Sequence, residues 1–122
     1  MVEVHPADNQ KTAALAALTG AAMPVRAMVM SQADREIGWV VYAIERDTMQ
    51  LVALYSEEEP LEELLVRASL NDAVNALATD AVCRNPAHFA LLRRLGFTEV
   101  EGGYTIFIPA FFMRPCHGCG GA

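Results

Sequence analysis

Apolar and polar residues change period several times along this chain of 122 residues, and each change predicts an element. "MVEVH" (1–5) alternates and predicts a short strand. "PADNQKTAALAALTG" (6–20) predicts a helix, with start signals from Pro6 to Asn9 and a stop at Gly20. "VRAMVMSQA" (25–33), "IGWVVYAIE" (37–45) and "TMQLVALYS" (48–56) alternate again. The polar turns "DRE" and "RD" separate them, which predicts an antiparallel meander.

From Pro60 the period lengthens. Leu61, Leu65, Val66, Leu70, Ala73, Val74 and Leu77 recur at helical spacing, so a helix is expected from Pro60 to about Ala78. "TDAVCRN" (79–85) predicts a short strand. "PAHFALLRRLG" (86–96) predicts a helix with Pro at its first position, two arginines in its last turn and a Gly stop. "FTEVEGGYTIFIPAFF" (97–112) reads as a hairpin around Gly102-Gly103. Strands 48–56 and 79–85, joined by a long helix, form a βαβ unit and should run parallel with a right-handed crossover. The predicted class is α/β (α+β): a mixed sheet, antiparallel except for that one unit. Residues 1–114 are expected to form a single domain, followed by a Cys/Gly-rich tail at 115–122.

Composition narrows the function. Apolar residues at 53% and charged residues at 20% specify a packed core rather than disorder. A net charge of −6 argues against a nucleic-acid partner, which usually demands a basic face. The apolar stretch "AALAALTGAAMPVRAMVM" is broken by Gly20, Pro24 and Arg26 and lacks a basic leader, so neither a membrane span nor an export signal is expected. With three cysteines and no such signal, the cytoplasm is the default compartment and a disulfide framework is not expected.

The junction "LYSEEEPLEELL" raises a chemical question. A strand-to-helix turn offers unpaired N–H groups and a partial positive charge, the usual setting for a phosphate. Here it carries Glu57, Glu58 and Glu59. The expectation is that these acids satisfy the helix start themselves, with Ser56 or Glu59 as N-cap and Pro60 giving up a donor. A diphosphate would then meet like charges at about 1–3 kcal/mol per close pair before screening. Three such pairs are comparable with most of a micromolar affinity, about −8 kcal/mol.

"CRNPAHFALLRRLGFTEV" resembles the GNAT superfamily of N-acetyltransferases, which carry an Asn at a strand end, a short helix and then Leu-Gly-Phe. Here these are Asn85 and Leu95-Gly96-Phe97. "IGWVVYAIERDTMQLVALYS" is similar to that family's central strands, and the element order matches over about residues 1–112. The resemblance implies acetyl transfer from acetyl-CoA to an amine, on a small molecule or a protein. It implies a pantetheine arm lying between two splayed parallel strands, held by the backbone of Ala53, Leu54 and Tyr55. The diphosphate would meet the turn of Ser56, Glu59 and Leu61, and Asn85 would orient the cofactor.

The sequence departs from that family twice. The family's diphosphate loop is rich in glycine and carries a basic or Gln residue, whereas 57–65 has no glycine and no basic residue. The family's proton-donating Tyr, seven residues after the Asn, is Leu92 here, and a leucine donates no proton. Tyr55 and Glu57 are the candidate substitutes as catalytic groups. Amine acetylation depends heavily on positioning, so these losses reduce turnover without forbidding it.

The tail "MRPCHGCGGA" places Cys116, His117 and Cys119 together as half of a zinc site. Completion would need Cys83, His5, His88 or a second copy of the chain, which a homodimer would supply. Three readings stand on the sequence. One is a GNAT-fold protein with a decayed or repurposed acetyl-CoA site. Another is a non-catalytic interaction module on the same fold. The third is a small metal-binding domain built on the tail.

Overall fold

The computed structural model describes residues 1–113. In chain order the elements are β1 (Val2–Pro6), α1 (Asn9–Thr19), β2 (Arg26–Gln32), β3 (Arg35–Glu45) and β4 (Thr48–Ser56). A 3₁₀ turn (Glu59–Leu61) leads into α2 (Glu62–Asn75), followed by β5 (Asp80–Cys83). A second 3₁₀ turn (Pro86–His88) leads into α3 (Phe89–Arg94), and β6 (Thr98–Val100), β7 (Gly103–Phe107) and α4 (Ile108–Met113) close the described chain. The strands form one sheet in the order β1-β2-β3-β4-β5-β7-β6. Only β4 and β5 pair in parallel; every other neighbour is antiparallel, as the βαβ reading requires.

Local chemistry accounts for the element ends. Asp8 caps α1 by accepting from the Lys11 N–H at 2.7 Å, and Gly20 ends it in the left-handed region. Alternation along β3 then divides the core. Val40 and Tyr42 face α2 and its Leu65, Val66 and Leu70, together with Leu92 of α3 and Phe111 of α4. Val41 faces the other way, against Leu15 of α1, with Trp39 and Val52 half-buried beside it. Burial of each large aliphatic side chain contributes about 2 kcal/mol. Tyr42 is fully buried, and its hydroxyl donates to Asp72 of α2 at 2.7 Å, beside an Arg26–Asp72 ion pair at 3.0 Å. Burial, reinforced by the neighbouring carboxylate, pushes the Tyr42 phenol up and keeps it a neutral donor.

Several expectations need correction. The closing hairpin turns at Glu101 and Gly102, since Val100 pairs with Gly103, and β7 stops at Phe107. The expected continuation of its second strand is instead α4, because Pro109 has no N–H for a sheet ladder and suits a first helical turn. The long helix ends at Asn75 rather than near Ala78. Leu77, counted on its apolar stripe, is solvent-exposed in a left-handed turn after it. Met30 and Met49 are buried in the core, whereas Met23 is exposed.

A candidate acyl-CoA slot between β4 and β5

One extra residue in β4 shapes the site. Tyr42 pairs with Leu51 and Val41 with Ala53, so Val52 has no partner on β3 and forms a bulge. The parallel ladder to β5 ends in the same place, at Leu51 opposite Cys83. Beyond it β5 has ended, and β4 runs on to Ser56 with no parallel neighbour, which makes that edge the candidate slot. Toward it β4 presents the carbonyl of Val52 and, two residues on, the N–H of Leu54, both on one edge by strand geometry.

Both groups are already taken. The Asn85 Nδ2 donates to the Val52 carbonyl at 3.1 Å, and the Leu54 N–H donates to His88 Nε2 at 3.1 Å. Asn85 also accepts the Ala87 N–H at its Oδ1, which caps the 3₁₀ turn. Three residues separate Asn85 from His88, one full 3₁₀ turn, so the two side chains emerge on the same side toward β4. An acceptor role at Nε2 assigns the His88 proton to Nδ1. His88 is buried, and no ion pair reaches it among the described residues.

Burial lowers the His88 pKa below its ordinary value of 6.5, because the charged ring would lose its water. A depressed histidine contributes stability that is fully present above the unfolded value and is lost as pH falls toward the folded one. The wild type should therefore lose urea resistance as pH falls below about 6.5, and His88→Gln should lose less over the same range. Parallel curves for the two proteins would refute this reading of the ring.

At the mouth of α2 the acids are present, but they do not cap the helix. Neither the 3₁₀ turn nor α2 receives a side-chain cap. Ser56 is occupied by Glu58: its hydroxyl donates to the Glu58 carbonyl at 2.7 Å and accepts the Glu58 N–H at 3.2 Å. Glu57 is drawn away to β3, where Arg35 Nη1 lies 2.8 Å and 2.9 Å from its carboxylate oxygens. Backbone geometry does the capping instead. Glu57 donates to Ile37, Leu61 to Glu58 and Glu62 to Glu59, while Pro60 has no N–H at all. Burial and, after it, the neighbouring Glu59 charge raise the Glu62 pKa, and Arg94 of α3 partly offsets them.

The remaining candidates are placed as follows. Ala53, Leu54 and Tyr55 lie on β4 beyond the end of the parallel ladder, with Ala53 and Tyr55 opposite Val41 and Trp39 of β3. Tyr55 is half-exposed, its ring centroid 6.1 Å from that of Trp39, and its hydroxyl has no hydrogen-bond partner among the described residues. Glu57 is held on the β3 side of β4, away from the slot. Cys83 is buried in β5 and His5 is exposed on β1. Cys116, His117 and Cys119 lie outside the described residues. Among the described residues no group of three His, Cys, Asp or Glu side chains is placed to hold a metal ion, and no helix is long and apolar enough to cross a membrane. Two residues missed as cofactor-slot or anion-site neighbours are His88 and Arg94. Only the three-residue spacing from Asn85 marks His88.

This fold is shared with solved structures over most of the chain. A putative GNAT-family acetyltransferase from Desulfovibrio desulfuricans matches with a TM-score of 0.72 at 10% identity, covering 88% of this chain and 99% of that one. The chain has the GNAT fold. A GNAT-family acetyltransferase from Brucella melitensis, solved in complex with acetyl-CoA, matches at 0.67 and 13% identity over 88% of each chain. The ribosomal-protein-S18-alanine N-acetyltransferase from Escherichia coli matches at 0.66 and 12% identity, over 86% of this chain and 89% of that one. No protein-family model and no curated protein matches the sequence.

Proposed function

We propose that this protein is a degenerate acetyl-CoA-dependent N-acetyltransferase that takes acetyl-CoA weakly and directs any acetyl transfer to an amine. The carrying observation is that the parallel ladder stops at Leu51 and Cys83, beside the Val52 bulge, where a pantetheine arm would lie. GNAT proteins of this shape include ones solved with acetyl-CoA bound. The residues, as they stand, do not fit the cofactor closely. The Val52 carbonyl and Leu54 N–H are satisfied by the chain itself, and the α2 mouth sets Glu58, Glu59 and Glu62 where a phosphate would come, with Pro60 lacking a donor. No chemical step is therefore assigned to a bound acyl-CoA. Of the two candidate catalytic groups, Tyr55 alone keeps an unpartnered polar atom, since Glu57 is paired with Arg35.

Calorimetric titration with acetyl-CoA tests the proposal. Dissociation constants near millimolar, about −4 kcal/mol, are expected. Micromolar binding would overturn the degenerate site. The same closed slot favours a second reading, a non-catalytic interaction module on this fold, and no heat at any attainable acetyl-CoA concentration would establish it over the first.

A further inference from the structure

We propose that His88 is a built-in occupant of the β4 slot, and that an acyl-CoA enters only by displacing its ring. The inference rests on the acyl-CoA reading above. The Leu54 N–H lies on β4 beyond the end of its ladder with β5, where an extended ligand would offer an amide carbonyl. Nε2 of His88 sits 3.1 Å from that nitrogen and presents the same chemistry, a neutral acceptor in line with a strand donor. His88 is 8% exposed, so it is packed at that edge as well as bonded to it. Asn85, one 3₁₀ turn earlier, fixes the approach by holding the Val52 carbonyl. Two successive polar groups of β4 are thus satisfied by side chains of one short turn. A sheet edge facing a gap would otherwise leave them for water or a ligand.

A binding site closed by its own side chain binds in proportion to the fraction of molecules in which that side chain is out. Removing the ring abolishes that requirement. The displaced acceptor corresponds to about one net hydrogen bond, so His88→Ala should bind acetyl-CoA about tenfold more tightly than the wild type. His88→Gln can place its amide oxygen near the position of Nε2 and should stay near wild-type affinity. In the ligand-free proteins, amide exchange at Leu54 should be about tenfold faster in His88→Ala than in the wild type.

The decisive experiment is calorimetric titration of acetyl-CoA into the wild type, His88→Ala and His88→Gln. It is paired with the ¹⁵N signals of the His88 ring in the wild type, which need no variant to fold. Tighter binding by the alanine variant, with the wild-type Nε2 signal leaving its hydrogen-bonded position on saturation, supports displacement. Equal binding by the three proteins, or ring signals that do not move on saturation, overturns it while the acyl-CoA reading stands. Absence of binding by all three overturns that reading, and the displacement with it.

Discussion

Gly103→Ala is expected to cost about 3 kcal/mol and to lower the thermal midpoint by roughly 10 °C. Gly103 is buried at the start of β7, next to the pair Cys83–Tyr104 that joins β7 to β5. A Cβ there would run into the Cys83 carbonyl oxygen and lie 3.2 Å from the Cys83 carbonyl carbon and 3.3 Å from the Arg84 Cα. All three are backbone atoms, so no side chain can swing aside. Relief requires β5 to move where it leaves the sheet for Asn85. Gly102→Ala is the internal control. Its Cβ would meet nothing within 4 Å, but its φ of +79 strains any L residue, and the cost should stop at about 1–2 kcal/mol. Urea unfolding of both variants checks the pair. Equal losses would show that turn conformation, rather than contact with β5, is what position 103 requires.

Much of this architecture was legible because its signals are local. Alternation around "RD" specified the β3–β4 hairpin, and the switch to helical spacing after Pro60 specified the crossover that makes β4 and β5 parallel. Gly96, with a φ of 96, marks the end of the Arg93-Arg94 turn, as a helix stop should. What was not legible depends on partners far apart in the chain. The Val52 bulge leaves no trace in "TMQLVALYS", because it exists only as a mismatch with Val41 and Tyr42. In the sequence Glu57 is one of three acids at a helix start and a candidate catalytic group; its partner, Arg35, lies across a hairpin. His88 stands in the sequence only as a possible further zinc ligand, and only folding brings it to Leu54. Pro109 was a local signal, but the apolar run around it outweighed it. The fold was thus readable from periodicity, whereas the state of the slot was not.

Asn85→Ala should cost about 2 kcal/mol and also release the slot. The side chain does two jobs at once: Oδ1 accepts the Ala87 N–H at 3.1 Å, and Nδ2 donates to the Val52 carbonyl at 3.1 Å. Losing an N-cap costs about 1 kcal/mol, and a strand carbonyl left without its donor about 1 kcal/mol more. Substitutions that separate the two bonds make the expectation specific. Asn85→Ser keeps a cap acceptor and loses the reach to Val52, so it should recover about half the loss. Asn85→Asp keeps the cap but sets a carboxylate against the Val52 carbonyl, so above the carboxylate pKa it should do no better than alanine. Because Asn85 and His88 share one turn, loosening the first should loosen the second, and amide exchange at Leu54 should rise in Asn85→Ala although neither hydrogen-bonding partner at Leu54 is altered. Thermal denaturation and exchange measured on the same samples test both halves. A loss below about 0.5 kcal/mol, with Leu54 exchange unchanged, would mean that the ladder ending at Leu51 and Cys83 holds this end of the sheet without help from the turn.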